Sequence, residues 1–205
     1  MRIQGRWHRL WIIALSVAVA LAALPAPACN RPPEEDLFAA GETLYLDQRY
    51  DEAIGTFKRF LVDNPNHAGA HFYLGTCYLA SDDNRWLGIA QGELQTAIAL
   101  FERQGKVSPI PRFNDTYFEL ISHINLAKIY LGLVITIVED RSSLPGLDRR
   151  RAVELTLERC EEQYDIVAQI DPENADVAWL RGQIDTLRRA LSIPRQPSAP
   201  SQLEI

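Results

Sequence analysis

The 205-residue chain is poor in the residues on which many recognisable activities depend. Three cysteines are too few for a disulfide framework. There is no HExxH, no phosphate-cradling glycine loop and no nucleophile elbow, which removes the sequence signals for a zinc protease, a nucleotide binder and a serine hydrolase. Only one run is apolar enough to enter a bilayer, at the N-terminus, so a multi-span membrane protein is excluded. Hydrophobic residues at 47% and charged residues at 23% exclude a wholly disordered chain and a collagen.

Basic residues become scarce once the N-terminus is passed. All 27 acids lie beyond Cys29, and three of the 21 bases (Arg2, Arg6 and Arg9) lie before it. Without that segment, 18 bases face 27 acids, a net charge of -9 that repels phosphate backbones. Nucleic acid is therefore not an expected partner.

What is present begins with an address. Arg2, Arg6, His8 and Arg9 precede fifteen residues, 10–24, in which Ser16 is the only polar one. Pro25-Ala26-Pro27-Ala28 and Cys29 follow. This is the basic, apolar and small-residue order of a secretory signal, and fifteen apolar residues fall short of the roughly 20 of a membrane span. Cleavage after Ala28 leaves Cys29 first. The segment resembles a bacterial lipoprotein signal, which implies that Cys29 is diacylated and anchors the chain. Asn30 replaces the aspartate such proteins use for inner-membrane retention, which implies the outer membrane. Ala26-x-Ala28 equally suits ordinary signal peptidase, giving a soluble periplasmic protein, and an uncleaved anchor is the remaining alternative.

Residues 29–35 read as a tether, stiffened by Pro32 and Pro33, and 193–205 as a disordered tail rich in proline and serine. Between them, 36–192 read as one helical domain. Periodicity predicts helices at roughly 35–47, 50–63, 67–81, 84–105, 115–139, 148–170 and 174–192. Asn64-Pro65 and Asp171-Pro172 end helices, because proline pushes its predecessor out of the helical region. Asn114 or Asp115 and Asp148 are candidate caps. Residues 108–111 and 142–146 are loops. Tyr130 to Val138 is an apolar stretch suited to a central core helix. In the last helix, Val177, Leu180, Ile184, Leu187 and Leu191 share one face, with Arg181, Arg188 and Arg189 on others.

An internal comparison finds Gly41 and Gly75 separated by 34 residues. Leu37-x-x-Ala40-Gly41-x-x-Leu44 is followed by Tyr50-Asp51-Glu52-Ala53-x-x-x-Phe57 and Pro65. His71-x-x-Leu74-Gly75-x-x-Tyr78 repeats the opening. Small residues at 41, 53 and 75 let antiparallel helices approach closely. The pattern resembles the tetratricopeptide repeat over residues 34–80 and more loosely over 81–192. Ala99 stands where a second closing proline is due, and a third first-helix, Leu126-Ala127-x-x-Tyr130, comes late. The resemblance implies an all-α fold: a right-handed superhelix of antiparallel helix pairs, a solenoid of about three pairs plus a capping helix.

In this family the first helix of each pair lines a concave groove. The corresponding positions are Glu35, Phe38, Glu42 and Tyr45 in one unit and Gly69, Phe72, Thr76 and Leu79 in the next, an aromatic floor with an acidic rim. The alternative is that Phe38 and Phe72 pack between units. The Lys, Arg and Asn with which some members grip a C-terminal carboxylate are absent.

The remaining constellations are weaker. His67 and His71 have a zinc-compatible spacing, but Cys77 lies on a different helix face, so packing is the better reading. Glu119 and His123 read as a surface pair. Asp82-Asp83-Asn84 reads as a helix start, and Asp148 to Arg151 as a solvated basic cluster. Cys77 and Cys160 are buried thiols or, in an oxidising compartment, a disulfide. No enzyme activity, cofactor or metal is expected. The function implied is a membrane-tethered adaptor that binds another envelope protein, as lipoproteins of this kind help assemble outer-membrane complexes. A spacer, or a small-ligand or metal-binding helical protein using His67, His71 and His123, is the competing class.

Overall fold

The computed structural model describes residues 34–81, 83–139 and 146–193. The signal, Cys29, the tether as far as Pro33, Asp82 and the tail from residue 194 lie outside the described residues. Among the described residues there is no strand, and the chain is all-helical. The α-helices are α1 (Glu34–Leu46), α2 (Tyr50–Asp63), α3 (Ala68–Ala80), α4 (Leu87–Arg103), α5 (Asp115–Glu139), α6 (Gly146–Ile170) and α7 (Ala175–Leu191).

Local chemistry sets the boundaries. The α2 helix stops at Asp63, with Asn64 N–H still bonding to the Phe60 carbonyl, because Pro65 forbids another helical residue. The imidazole Nδ1 of His67 accepts the Ala70 N–H at 3.1 Å and starts α3. Asn114 Oδ1 accepts the Tyr117 N–H at 2.7 Å and starts α5. Asn174 Oδ1 accepts the Asp176 N–H at 2.9 Å and starts α7. An Asn cap of this kind contributes about 1 kcal/mol. Two predicted boundaries move. The expected helix at 84–105 opens with a separate 3-10 turn, Asn84–Trp86, because Asp83 holds the Arg85 N–H and guanidinium. The α6 helix begins at Gly146, which puts Asp148 in its first turn instead of at its cap.

Consecutive helices pack on one another throughout, and odd-numbered helices also touch the next odd one: α1 with α3, α3 with α5, α5 with α7. Glycine sets two of these approaches. A Cβ on Gly41 would stand 2.7 Å from the Phe57 ring of α2, and one on Gly75 would stand 2.8 Å from Leu94 and 3.1 Å from the Ala90 carbonyl of α4. Thus the two glycines 34 residues apart perform the same task, seating the second helix of a pair against the first. In α5 the corresponding seam residue is Ala127, fully buried, whose carbonyl lies 3.5 Å from Cys160 Sγ of α6.

The core divides in character along the chain. From α1 to α3 it is aromatic: Phe57 stacks on Tyr73 at 5.2 Å, and Phe38, Phe60 and Tyr45 surround them. From α5 to α7 it is mostly aliphatic, built on Val134, Leu157, Val167, Leu180 and Ile184. Burying each large apolar side chain contributes roughly 1.5–3 kcal/mol. Contrary to the expectation above, the N-terminal run is not alone in its apolarity. By length and composition α5 is also apolar enough to cross a membrane, but more than half of its apolar window is buried against its neighbours, as in a core helix.

Two expectations about α5–α7 are corrected. Arg188 does not face water: it is 5% exposed and forks onto both Glu161 oxygens of α6. His123 is not half of a surface pair with Glu119. It is buried and bonds Gln163 of α6 at 2.7 Å, while Glu119 pairs with Lys106 at 2.7 Å. In both cases the partner comes from the adjoining helix α6, which spacing within one helix cannot foresee.

Candidate partner-binding face

The predicted groove residues belong to the odd helices, on the side where α1, α3, α5 and α7 meet. Tyr73 is the hub that gathers those of the first two pairs. Its ring lies 6.0 Å from Phe38, 5.1 Å from Tyr45 and 5.4 Å from Phe72, and its hydroxyl donates to Glu42 at 2.8 Å. Burial, with the Glu42 carboxylate as second cause, pushes the Tyr73 phenol far up. Tyr45 is raised as well, chiefly by burial, with Cys77, Tyr50 and Tyr117 adding to it and Arg112 opposing.

These residues do not line an open trough. Phe72 is 2% exposed and Thr76 7%. Phe72 is covered by the rings of Phe113 and Phe118, and the Thr76 hydroxyl accepts from Asn125 of α5 at 3.3 Å while donating to the Phe72 carbonyl. Leu79 is half-buried against the core. The physical cause is twofold: α5 leans on α3, and the connection from Gln104 to Asn114 folds over α1 and α3. Gly69 sits between Phe38 and Ile110, with a would-be Cβ only 3.1 Å from Ile110 Cγ1. Arg112 reaches Glu42 at 3.5 Å, donates to the Tyr73 hydroxyl, and lies over the Tyr73 and Phe113 rings.

Farther along, the same side is uncovered only in places, since Ile124 and Leu131 on the same stripe of α5 are buried. Tyr117, Lys128 and Ile135 of α5 are spaced by 11 and 7 residues, which places them within about 20° on one helical stripe. Tyr117 and Ile135 are each 44% exposed. Trp179 of α7 is 46% exposed and receives Lys128 Nζ over its ring at 5.7 Å. Lys128 is anchored there by Asp176 at 2.8 Å. Tyr117 touches Phe113 edge-on at 4.8 Å, so the exposed row begins where the covering segment ends. None of these four side chains stood out in the sequence. Trp179 carried a signal, as a large aromatic off the apolar face of an amphipathic helix.

The other candidates find local partners. His71 Nδ1 lies 2.6 Å from Glu93 and Nε2 lies 3.0 Å from the Pro65 carbonyl. Two acceptors on one imidazole favour the doubly protonated ring. Burial disfavours that charge, but the Glu93 and Pro65 bonds outweigh it and the pKa is raised. His67 is lowered by burial and by His71. Among the described residues no three His, Cys, Asp or Glu side chains converge as metal ligands. Cys77 and Cys160 are free, and burial pushes both thiols up to about 12.

Comparison with protein-family models gives no match, and neither does comparison with curated protein sequences.

Proposed function

We propose that this chain is a helical-repeat scaffold of the bacterial envelope, tethered to the outer membrane through a lipid on Cys29, which holds a segment of another envelope protein along its odd-helix side. The odd-to-odd contacts and the matched glycine seams at 41 and 75 support a right-handed solenoid of helix pairs, α1/α2, α3/α4 and α5/α6, closed by α7. The observation that carries the binding role is the set of exposed side chains Tyr117, Ile135 and Trp179 with the partly buried Lys128 among them, on the side that also carries the positions Phe38, Glu42, Tyr45, Phe72, Thr76 and Leu79. Rigid aromatic anchors beside a cation are strong material for gripping a peptide. The row spans about 27 Å of α5, the length of eight or so extended residues.

A photo-crosslinking residue at 117, 135 or 179, in cells, tests this. One protein captured at all three positions, and not from Val62 or Leu155 on even helices, is the expected result. Capture equally efficient from the even helices, or none from the odd ones, defeats the proposal. Replacing Cys29 with serine should abolish metabolic labelling with palmitate. Labelling that survives, or a chain never labelled, removes the lipid tether.

A further inference from the structure

The connection between α4 and α5 is an unusual piece of this fold. It spans Gln104 to Asn114, whereas antiparallel helices are usually joined by two to eight residues. Gly105 and Lys106 both take left-handed backbone angles, φ 82° and 58°, which turns the chain back over the helices it has just left. Pro109 then leads into a single turn, with Pro111 inside it, closed by Phe113 N–H to the Ile110 carbonyl at 2.9 Å. No backbone-to-backbone hydrogen bond joins residues 107–113 to α1 or α3. The segment is held on these helices by three side chains. Ile110 is fully buried beside Gly69. Arg112 engages Glu42 and Tyr73, and Phe113 meets Phe72 edge-on at 5.9 Å.

Side-chain pockets for an aliphatic and an aromatic residue, with a carboxylate and a phenol for a guanidinium between them, are how a protein grips a peptide. Four of the positions contacted, Glu42, Gly69, Phe72 and the hub Tyr73, lie on the side proposed above to hold a partner. The geometry points to a peptide-binding site occupied in cis: residues 108–113 act as a built-in ligand, and the foreign peptide this site takes carries the same order, an aliphatic residue, an arginine two positions later and an aromatic next. This rests on the odd-helix side being the binding side. The open row from Tyr117 onward is where such a partner first lands, and displacement of the segment extends its contact to α3 and α1.

The energetic logic is competition. A ligand on a short tether has an effective concentration in the millimolar range. A free peptide therefore sees an affinity reduced by the fraction of time the site is vacant. Weakening the tethered ligand, without touching the receiving side chains, raises the apparent affinity for the free one.

The probe is a fluorescein-labelled peptide of sequence 106–114, titrated into the detergent-solubilised full chain. We expect the Ile110→Ala/Arg112→Ala variant to bind it at least tenfold more tightly than the wild type, and Glu42→Gln added to that variant to remove the gain. A double variant with unchanged helical circular dichroism that binds no more tightly overturns the inference. If the double variant loses its helical signal, the wild type alone decides. Saturating peptide must then speed hydrogen exchange at the amides of residues 110, 112 and 113, and unchanged exchange overturns the inference. The two proposals fail separately. Crosslinks at 117, 135 and 179 without peptide competition leave the scaffold and remove the cis ligand, whereas peptide competition without any captured partner leaves the site and removes the scaffold.

Discussion

The two halves of this protein solve the same packing problem with different means. In α1–α3, helices of 13, 14 and 13 residues meet through the Gly41 seam, with Gly75 seating α3 on α4, and the space is filled with stacked rings. In α5–α7, helices of 25, 25 and 17 residues meet through aliphatic side chains and are registered by polar ties: Arg188 to Glu161, His123 to Gln163, Lys128 to Asp176. The short half has its odd-helix side covered, and the long half leaves Tyr117, Ile135 and Trp179 exposed on it. The lesson is that a repeat motif reports a close approach between helices, and where that approach is made by longer helices with polar registers the motif fades although the helix-on-helix arrangement continues.

The comparison breaks most visibly at its largest side chains. Phe57→Ala removes a fully buried ring that stacks on Tyr73 and lies under Gly41, and should cost about 3–5 kcal/mol in chemical denaturation. Trp179→Ala, exposed in the long half, should cost about 1 kcal/mol or less, the scale of its contact with Lys128. Should Trp179→Ala cost as much as Phe57→Ala, the long half is not open as described.

Glycine gives a smaller contrast of opposite sign. Gly75→Ala drives a methyl toward Leu94 and the Ala90 carbonyl, and backbone at 3.1 Å cannot step aside. Overpacking costs about 1–3 kcal/mol, and the better helix propensity of alanine returns up to about 1. Gly182 in α7 meets nothing within 4 Å, so Gly182→Ala should stabilise by up to about 1 kcal/mol. Thermal melts of the pair decide it, and equal shifts of one sign refute the seam assignment.

The smallest effect is pH-dependent and belongs to the first half. Because His71 has a raised pKa when folded, the stabilisation it supplies is fully present below its unfolded value of about 6.5 and is lost as pH rises through the folded value. The stability difference between wild type and His71→Gln, followed from about pH 5 to 9, should therefore shrink as pH rises. A difference that stays flat or grows shows that the imidazolium is not what joins α3 to Glu93.

Much of this was legible in advance, for identifiable reasons. Helix positions followed from short-range chemistry, from Pro65 and Pro172 as stops to Asn114 as a cap, and periodicity found the buried stripe Val177, Leu180, Ile184. The positions Phe38, Glu42, Tyr45 and Phe72 do gather on one side, around Tyr73. The segment lying over them was not legible. Arg112 meets Tyr73 across 39 residues, and Arg188 meets Glu161 across 27. Pairings at that separation depend on how helices stack, and no local pattern encodes them. The exposed row had the same obstacle, since Lys128 and Trp179 adjoin only once α7 docks on α5.

The placement of the two buried thiols turns this chain into its own stopwatch. Cys77 belongs to the short half and Cys160 to the long one, and each is sealed from solvent and held protonated by burial. A thiol reagent can modify either only after its surroundings open. Reading the two modification rates separately, by peptide mass, would time the opening of each half in the unaltered protein. It would show whether the glycine-and-ring half and the polar-register half come apart together or in turn.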